Sequence, residues 1–159
     1  MGTVVAVCTS PEKHTPKQNI GRAELIKGWG LAEDAHAGSE REVSLLSLEG
    51  IERMKEVLPE LQPGDFAENL TVSGLDWESL RIGSRIAVGE GPLLEVTQIG
   101  KRCHRKCDIY RKTGSCIMPT EGIFARILEG GTVQAGDPIR ILEEDADRFT
   151  STIPNLPKR

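Results

Sequence analysis

The segment from Gly100 to Met118 has the residue types that could carry chemistry, in the order G-K-R-C-H-R-K-C-D-I-Y-R-K-T-G-S-C-I-M. Three of the four cysteines and six cations lie here against one acid: Cys103, Cys107 and Cys116, Lys101, Arg102, Arg105, Lys106, Arg111 and Lys112, and Asp108. The whole chain has a formal charge of -4, whereas this segment has a net positive charge. A local excess of cations predicts an anionic partner.

Three interpretations of these cysteines remain open. Arg102 and His104 flank Cys103, and neighbouring cations favour a thiolate, which is a nucleophile and a soft metal ligand. A structural zinc site of three cysteines and a histidine is the second, although C-x3-C-x8-C is not a common zinc spacing. In the third, Cys107 and Cys116 are small buried apolar residues and the cations form a solvated face.

Two further polar pairs could take part in chemistry. Asp34 and His36 lie two residues apart and would share one face of a strand, as a proton-handling or metal-binding pair. The alternative is an Asx turn with a hydrogen-bonded histidine. Glu68 and Asn69 interrupt an apolar alternation, so both need partners: backbone amides, a ligand or Arg41. We favour a structural hydrogen-bonding role for them, with ligand contact second.

The elements that would position these residues are mostly short strands. β-Branched and alternating runs predict strands within Thr3–Cys8, Ala23–Ile26, Arg41–Leu46, Phe66–Val72, Leu80–Val88, Leu93–Ile99 and Val133–Ile141. The segment Thr9–Gly21 is a mildly basic loop that includes Lys17. Cys103 would follow the end of a rigid strand, where functional groups are held best.

Two segments have helical patterns. Ser47 is a predicted N-cap for a helix whose apolar stripe runs from Leu48 to Leu58, and Pro59 ends it. A second helix is predicted from Thr120 to Glu129, with Thr120 as its N-cap. Its first amides could accept an anion beside the thiols.

Size and composition exclude several classes of protein. The 159 residues suit one domain, and 17 glycines and 9 prolines indicate many turns between short strands. Free thiols, with no signal-like start, favour the cytoplasm, and no apolar run suits a membrane span. Aromatic residues make up 4% of the chain and acids outnumber bases, which argues against a nucleic-acid partner.

Five ordered motifs resemble the MOSC domain, a family named after the C-terminal domain of molybdenum cofactor sulfurase. They are G-L-A-E-D-A-H-A-G from Gly30, R-E-V-S-L-L from Arg41, P-G-D-F-A-E-N-L-T-V-S-G-L from Pro63, G-K-R-C ending at Cys103, and C-I-M-P-T-E-G-I-F-A-R-I-L from Cys116. The ordered set is more specific than any single motif. The chain looks most similar to the short stand-alone bacterial members, over residues 1–143, with a loose tail over 144–159.

The resemblance implies a mostly β fold: a small closed or partly open barrel with two or three short helices. It also implies a bacterial cytoplasmic protein concerned with molybdenum cofactor or sulfur transfer. In the family one cysteine carries sulfur or binds the metal, and Cys103 matches it. Glu33 and Ala67 stand where the family pattern has glycine.

The leading hypothesis is a domain that binds molybdenum cofactor or carries sulfur. Whether it is an enzyme stays open, with a sulfurtransferase-like or a molybdenum-dependent oxidoreductase activity as the two alternatives. Cys103 would bind molybdenum or carry a persulfide from a separate cysteine desulfurase, and Cys107 and Cys116 would relay sulfur. The residues predicted to hold the anionic molybdopterin are Lys101, Arg102, His104, Arg105, Arg41, His36, Asp34 and Asn69. The alternatives are a molybdenum-dependent reductase of N-hydroxylated compounds and a zinc-stabilised binding scaffold.

Overall fold

The computed structural model describes residues 2–10, 17–32, 34, 42–66, 68–100 and 122–142. The elements in chain order are β1 (Gly2–Thr9), β2 (Gln18–Asn19), β3 (Arg22–Ile26), β4 (Gly30–Leu31), β5 (Val43–Ser47), α1 (Leu48–Met54), β6 (Leu70–Ser73), a 3-10 helix (Trp77–Ser79), β7 (Arg85–Val88), β8 (Leu93–Ile99), β9 (Ile123–Glu129), β10 (Gly131–Gln134) and β11 (Pro138–Leu142). Of the two or three short helices expected, these ranges contain one α-helix and one 3-10 helix.

Seven strands close into a barrel, which confirms the predicted fold class. Their order is β11-β7-β8-β9-β5-β6-β1, and β1 pairs back onto β11 through Gly2 and Ile139. Neighbouring strands are antiparallel except β5 and β6, which are parallel and are joined by the crossover containing α1. A second sheet of three strands has the order β10-β3-β4.

The barrel wall separates two apolar layers. Leu45 of β5 and Leu70 of β6 are buried in the interior of the barrel. Leu46 of β5 faces the other way and packs with Ile51 of α1 and Phe124 of β9. Successive side chains of a strand point to opposite faces. One wall therefore serves both the interior and the layer beneath α1.

The helix α1 begins where the sequence predicts it and ends earlier. The hydroxyl oxygen of Ser47 accepts a hydrogen bond from the Gly50 N–H at 3.0 Å, as an N-cap should. The regular helix ends at Met54, short of Leu58, and a turn continues the chain toward Pro59. Leu58 still packs against the layer beneath the helix.

The prediction of a helix over Thr120–Glu129 is wrong for the residues described there, because Ile123–Glu129 forms strand β9. Ile123, Ala125 and Ile127 line the barrel interior, while Phe124 packs on the outer layer. The sequence pattern fits both a helix and a strand over so short a run. Hydrogen bonds to β8 on one side and to β5 on the other decide in favour of the strand.

Strand β8 has the predicted bounds, and its end fixes the entry to the cysteine-rich segment. Ile99 of β8 pairs with Ile123 of β9, and the Gly100 N–H donates to the Gly122 carbonyl oxygen at 2.6 Å. The chain between these glycines, residues 101–121, thus leaves and re-enters the barrel at one hydrogen-bonded pair.

No helix in the described ranges has the length and apolar character needed to cross a bilayer.

Replacing Ser47 by alanine should lower the free energy of unfolding by about 1 kcal/mol, because the Gly50 N–H loses its acceptor at the helix start. Urea unfolding of the wild type and the variant measures this loss. Glu52→Ala, on the exposed face of the same helix, is the control and should change stability by less than about 0.5 kcal/mol. Equal losses in the two variants would contradict the capping role.

Candidate functional site

Most of the predicted site residues lie outside the described residues. These are Cys103, Cys107, Cys116, Lys101, Arg102, His104, Arg105, Arg41 and His36. Their predicted roles stay predictions. Asp34 and Asn69 lie within the described part, and both belong to a buried network at the point where β1 ends and β6 begins.

Asp34 forms a buried ion pair with Lys17. The Lys17 Nζ lies 2.7 Å from the Asp34 Oδ1, and neither side chain is exposed to solvent. The Ser10 N–H donates to the same carboxylate oxygen at 3.1 Å. Buried charges need such partners, since transfer out of water costs several kcal/mol per ion. The pair joins the chain after β1 to the chain after β4.

Gly64 holds the backbone of Lys17 in place. The Lys17 N–H donates to the Gly64 carbonyl oxygen at 2.8 Å. Gly64 has a φ of +97°, and a Cβ atom there would collide with the Lys17 carbonyl oxygen. Only glycine suits both the left-handed backbone and this close approach.

Glu68 connects Gly64 to β6. Its Oε2 accepts from the Gly64 N–H at 3.0 Å and from the Thr71 hydroxyl at 2.8 Å. The side chain is fully buried, and its Oε1 has no hydrogen-bond partner among the described residues. Burial raises the pKa of Glu68, and the hydrogen bonds from Gly64 and Thr71 oppose that shift without reversing it.

Asn69 joins β6 to its neighbours on both sides. Its Oδ1 accepts from the Ser44 N–H at 3.0 Å and from the Ser44 hydroxyl at 3.2 Å. Its Nδ2 donates to the Cys8 carbonyl oxygen at 3.1 Å, and its own carbonyl accepts from the Cys8 N–H. Glu68 and Asn69 thus both make internal hydrogen bonds, as a structural role requires. Ligand contact by Asn69 and Asp34 stays a prediction.

We call Lys17, Asp34, Gly64, Glu68 and Asn69 the polar joint. These residues form a continuous chain of contacts from the segment after β4 to the start of β6. The joint is linked to β9 as well, because Ser44, the partner of Asn69, pairs with Phe124. Phe124 lies two residues after Gly122, where the chain returns from residues 101–121.

Sequence patterns provide little indication of two members of the joint. The sequence around Lys17 predicts only a mildly basic loop, and its partner Asp34 lies 17 residues away with no shared motif. Gly64 follows a proline, and that pair predicts a turn. The close approach of the Lys17 backbone to Gly64 had no signal in the sequence.

Cys8, the described thiol, packs against the joint as an apolar side chain. Its side chain is fully buried. Burial is the main cause that raises its pKa from 9.0 to about 12; Glu68 adds to the increase when its carboxyl is ionised, and Lys17 opposes it. A thiol with so high a pKa is protonated at neutral pH and is a poor nucleophile or metal ligand.

Across the part of the chain that the structure describes, no three or more histidine, cysteine, aspartate or glutamate side chains are grouped as a metal site.

The model of the MOSC domain family matches residues 32–140. This chain belongs to the MOSC domain family. The match covers more than half of the chain, and it confirms the family that the five sequence motifs indicate. No curated protein sequence matches the chain.

Solved structures of bacterial proteins share the fold. The YuaD protein from Bacillus subtilis matches with a TM-score of 0.71 at 20% identity, over 87% of this chain and 94% of that one. YiiM from Geobacillus stearothermophilus matches with a TM-score of 0.68 at 18% identity, over 90% and 76% of the two chains. YiiM from Escherichia coli matches with a TM-score of 0.63 at 20% identity, over 91% and 71%. At these identities the likeness establishes the barrel architecture alone.

Removing the ammonium group of Lys17 should be strongly destabilising, because the buried carboxylate of Asp34 would lose the ion-pair partner that lies 2.7 Å from it. We expect Lys17→Met to lower the free energy of unfolding by about 3–5 kcal/mol, and Lys17→Met combined with Asp34→Leu to recover most of that loss. Urea unfolding of the single and double variants measures both effects.

A matched control is available at the surface. Lys55 lies 3.5 Å from Glu52 in an exposed pair, and Lys55→Met should cost less than about 1 kcal/mol. If Lys17→Met costs no more than Lys55→Met, the buried pair has no structural importance.

Gly64→Ala should lower the free energy of unfolding by more than about 3 kcal/mol, since the added methyl group meets the Lys17 carbonyl oxygen in a left-handed backbone. Gly28 has a φ of +69° and open space around its Cα, so Gly28→Ala carries the conformational strain without the collision. We expect a loss of about 1–2 kcal/mol there. Thermal unfolding compares the two variants, and similar losses would show that the close approach is unimportant.

Proposed function

We propose that this MOSC domain handles an anionic group that bears molybdenum or transferable sulfur, and that the thiolate of Cys103 is the atom that contacts it. Membership of the MOSC domain family is the reason to expect chemistry with molybdenum cofactor or sulfur. The closure of β8 on β9 by the Gly100–Gly122 hydrogen bond is the structural observation that supports the assignment. It anchors both ends of the segment that contains Cys103 to adjacent strands.

The anchoring matters because a reactive group needs a rigid base. Strands β8 and β9 pair from Leu93 to Ile99 and from Ile123 to Glu129, which is the most extensive pairing in the barrel. Cys103 lies four residues beyond the last residue of β8. A site that starts within a few residues of a paired strand is held more precisely than one in a long loop.

The residue types of the segment suit such a group. Six cations around three thiols favour phosphate and pterin oxygens through charge-assisted hydrogen bonds, and thiolates are soft ligands that suit a soft metal centre. Lys101, Arg102, His104 and Arg105 would hold the anionic part of molybdopterin. When bound, the cofactor supplies a molybdenum centre to which Cys103 can bind through sulfur.

Cys8 lacks these properties, which supports a division of roles among the cysteines. It lies in strand β1, fully buried, with a pKa raised to about 12 by burial. Cys103 lies between Arg102 and His104 in a segment of positive charge, a setting that lowers the pKa of a thiol. Cys8 is therefore a structural thiol, and it offers a matched control for Cys103.

Sulfur transfer needs no external oxidant or reductant. The Cys103 thiolate attacks the terminal sulfur of a donor persulfide, R–S–SH, on a cysteine desulfurase. The bond between the two donor sulfurs breaks as the new sulfur–sulfur bond forms on Cys103, and the donor departs as a thiolate. The transferred sulfur keeps its proton, so the donor and the acceptor exchange roles without net oxidation.

Sulfane-sulfur loading tests the role of Cys103. We expect wild-type protein incubated with a cysteine desulfurase and cysteine to gain sulfur that cyanide releases as thiocyanate. Cys103→Ser should lose that gain. Cys8→Ala should keep it, because Cys8 is a buried and protonated thiol. Equal loading of wild type and Cys103→Ser would remove Cys103 from the role.

A metal measurement separates the two ways in which Cys103 could act. Protein purified from a host that makes molybdenum cofactor is analysed for molybdenum and pterin, for wild type, Cys103→Ser and Cys8→Ala. Cofactor present in wild type and Cys8→Ala but lost in Cys103→Ser supports direct binding. If all three proteins lack both the cofactor and loaded sulfur, the proposed function is wrong.

A further inference from the structure

The two carboxyl oxygens of Glu68 have unequal surroundings. Oε2 accepts two hydrogen bonds, from the Gly64 N–H and the Thr71 hydroxyl, while Oε1 is buried with none from the described residues. An ionised carboxylate carries its charge on both oxygens and needs donors at both. A protonated carboxyl has one accepting oxygen and one hydroxyl. Burying a neutral hydroxyl without a partner costs less than burying half of a charged carboxylate without one.

The electrostatic surroundings favour the same protonation state. Burial is the largest influence on the pKa of Glu68 and raises it, while the Gly64 and Thr71 hydrogen bonds and the nearby amides of Glu68 itself and Phe66 act in the opposite direction. None of the amides of Glu68 and Phe66 reaches Oε1 with hydrogen-bond geometry. The net effect is to raise the pKa of Glu68.

The charged and titratable groups around Glu68 come from three described segments. Lys17, from the segment before β2, forms its ion pair with Asp34. Cys8 of β1 is a protonated thiol at neutral pH, because burial raises its pKa to about 12. Asp65, in the turn after Gly64, is near enough for its charge to raise the pKa of Cys8 as well. Thr71 of β6 bonds to Glu68 directly, and Asn69, the next residue in the chain, bonds to Ser44 of β5; none of these three side chains carries a charge.

We propose that Glu68 is a protonated clamp: as a neutral acid it joins the turn at Gly64 to Thr71 of β6, and loss of its proton opens the polar joint. The effect extends beyond Glu68 because Gly64 also binds the Lys17 N–H, and Lys17 binds Asp34. Opening at Gly64 therefore loosens the Lys17–Asp34 pair. The inference does not depend on the proposed function.

The direction of the pH dependence follows from proton binding. The folded protein keeps the Glu68 proton to higher pH than the unfolded chain, whose glutamates ionise near pH 4.3. The stabilisation by Glu68 is therefore complete below about pH 4.3 and is lost as pH rises through the folded-state pKa. Between about pH 4.3 and the folded-state pKa of Glu68, the unfolding equilibrium constant should rise about tenfold per pH unit.

Urea unfolding across pH tests the clamp with three proteins: wild type, Glu68→Gln and Glu52→Gln. The glutamine side chain of Glu68→Gln keeps an accepting oxygen and cannot ionise. The unfolding equilibrium constant of this variant should therefore not show the tenfold rise per pH unit. Glu52 is exposed on α1, and its variant should follow the wild type. The clamp is refuted if Glu68→Gln and the wild type show the same pH profile, or if the wild type gains stability relative to Glu68→Gln across this window.

Two measurements on wild type keep the test decisive if Glu68→Gln does not fold. Infrared spectroscopy should show the carbonyl stretch of a carboxylic acid in the folded protein above the pH at which exposed acids ionise, and unfolding should abolish it. Amide exchange should show protection factors of Gly64 and Lys17 falling as pH rises, while that of Val96, bonded to Ser84 in the barrel, stays constant. No acid band and constant protection at Gly64 would overturn the proposal.

Discussion

The pairing of Gly2 with Ile139 joins the first and last strands of a seven-stranded ring, and this seam removes the exposed edges of an open sheet. A closed ring dictates which side chains are enclosed, because alternate residues of every strand must face the interior. Leu45, Leu70 and Ile123 occupy such positions. Apolar side chains fill the middle of the barrel, and the buried polar groups collect where strands begin and end.

The polar joint shows what that arrangement requires. A buried lysine, two buried acids and an asparagine lie next to one another, and each needs internal partners because water is excluded. Asp34 pairs with Lys17, and Asn69 bonds to backbone groups of Ser44 and Cys8. Glu68 accepts hydrogen bonds from the Gly64 N–H and from the Thr71 hydroxyl. The Lys17–Asp34 pair and the Lys17–Gly64 hydrogen bond connect segments that no strand pairing connects. Hydrogen-bond geometry, rather than buried apolar area, determines which segments meet at the joint.

Much of the barrel could be predicted from local patterns, and the errors have physical causes. Alternation and β-branched residues predicted β8 with its observed bounds, and the Ser47 cap predicted the start of α1. The apolar spacing of Ile123–Glu129 suits both a helix and a strand, so the helix that it predicts is wrong; only hydrogen bonds to distant strands decide between the two structures. The Lys17–Asp34 pair and the contact at Gly64 depend on tertiary approach, which spacing along a sequence does not encode.

The hydrogen bond between Gly100 and Gly122 bears on how far the connection between β8 and β9 can vary in length. Since the barrel already holds the two glycines together, a longer insert adds little conformational entropy cost: each doubling of its length costs only about 0.6 kcal/mol. The position can therefore accept inserts of different length and chemistry without remodelling the ring. Different segments at the connection between β8 and β9 would let related proteins differ in their reactions while the barrel stays the same.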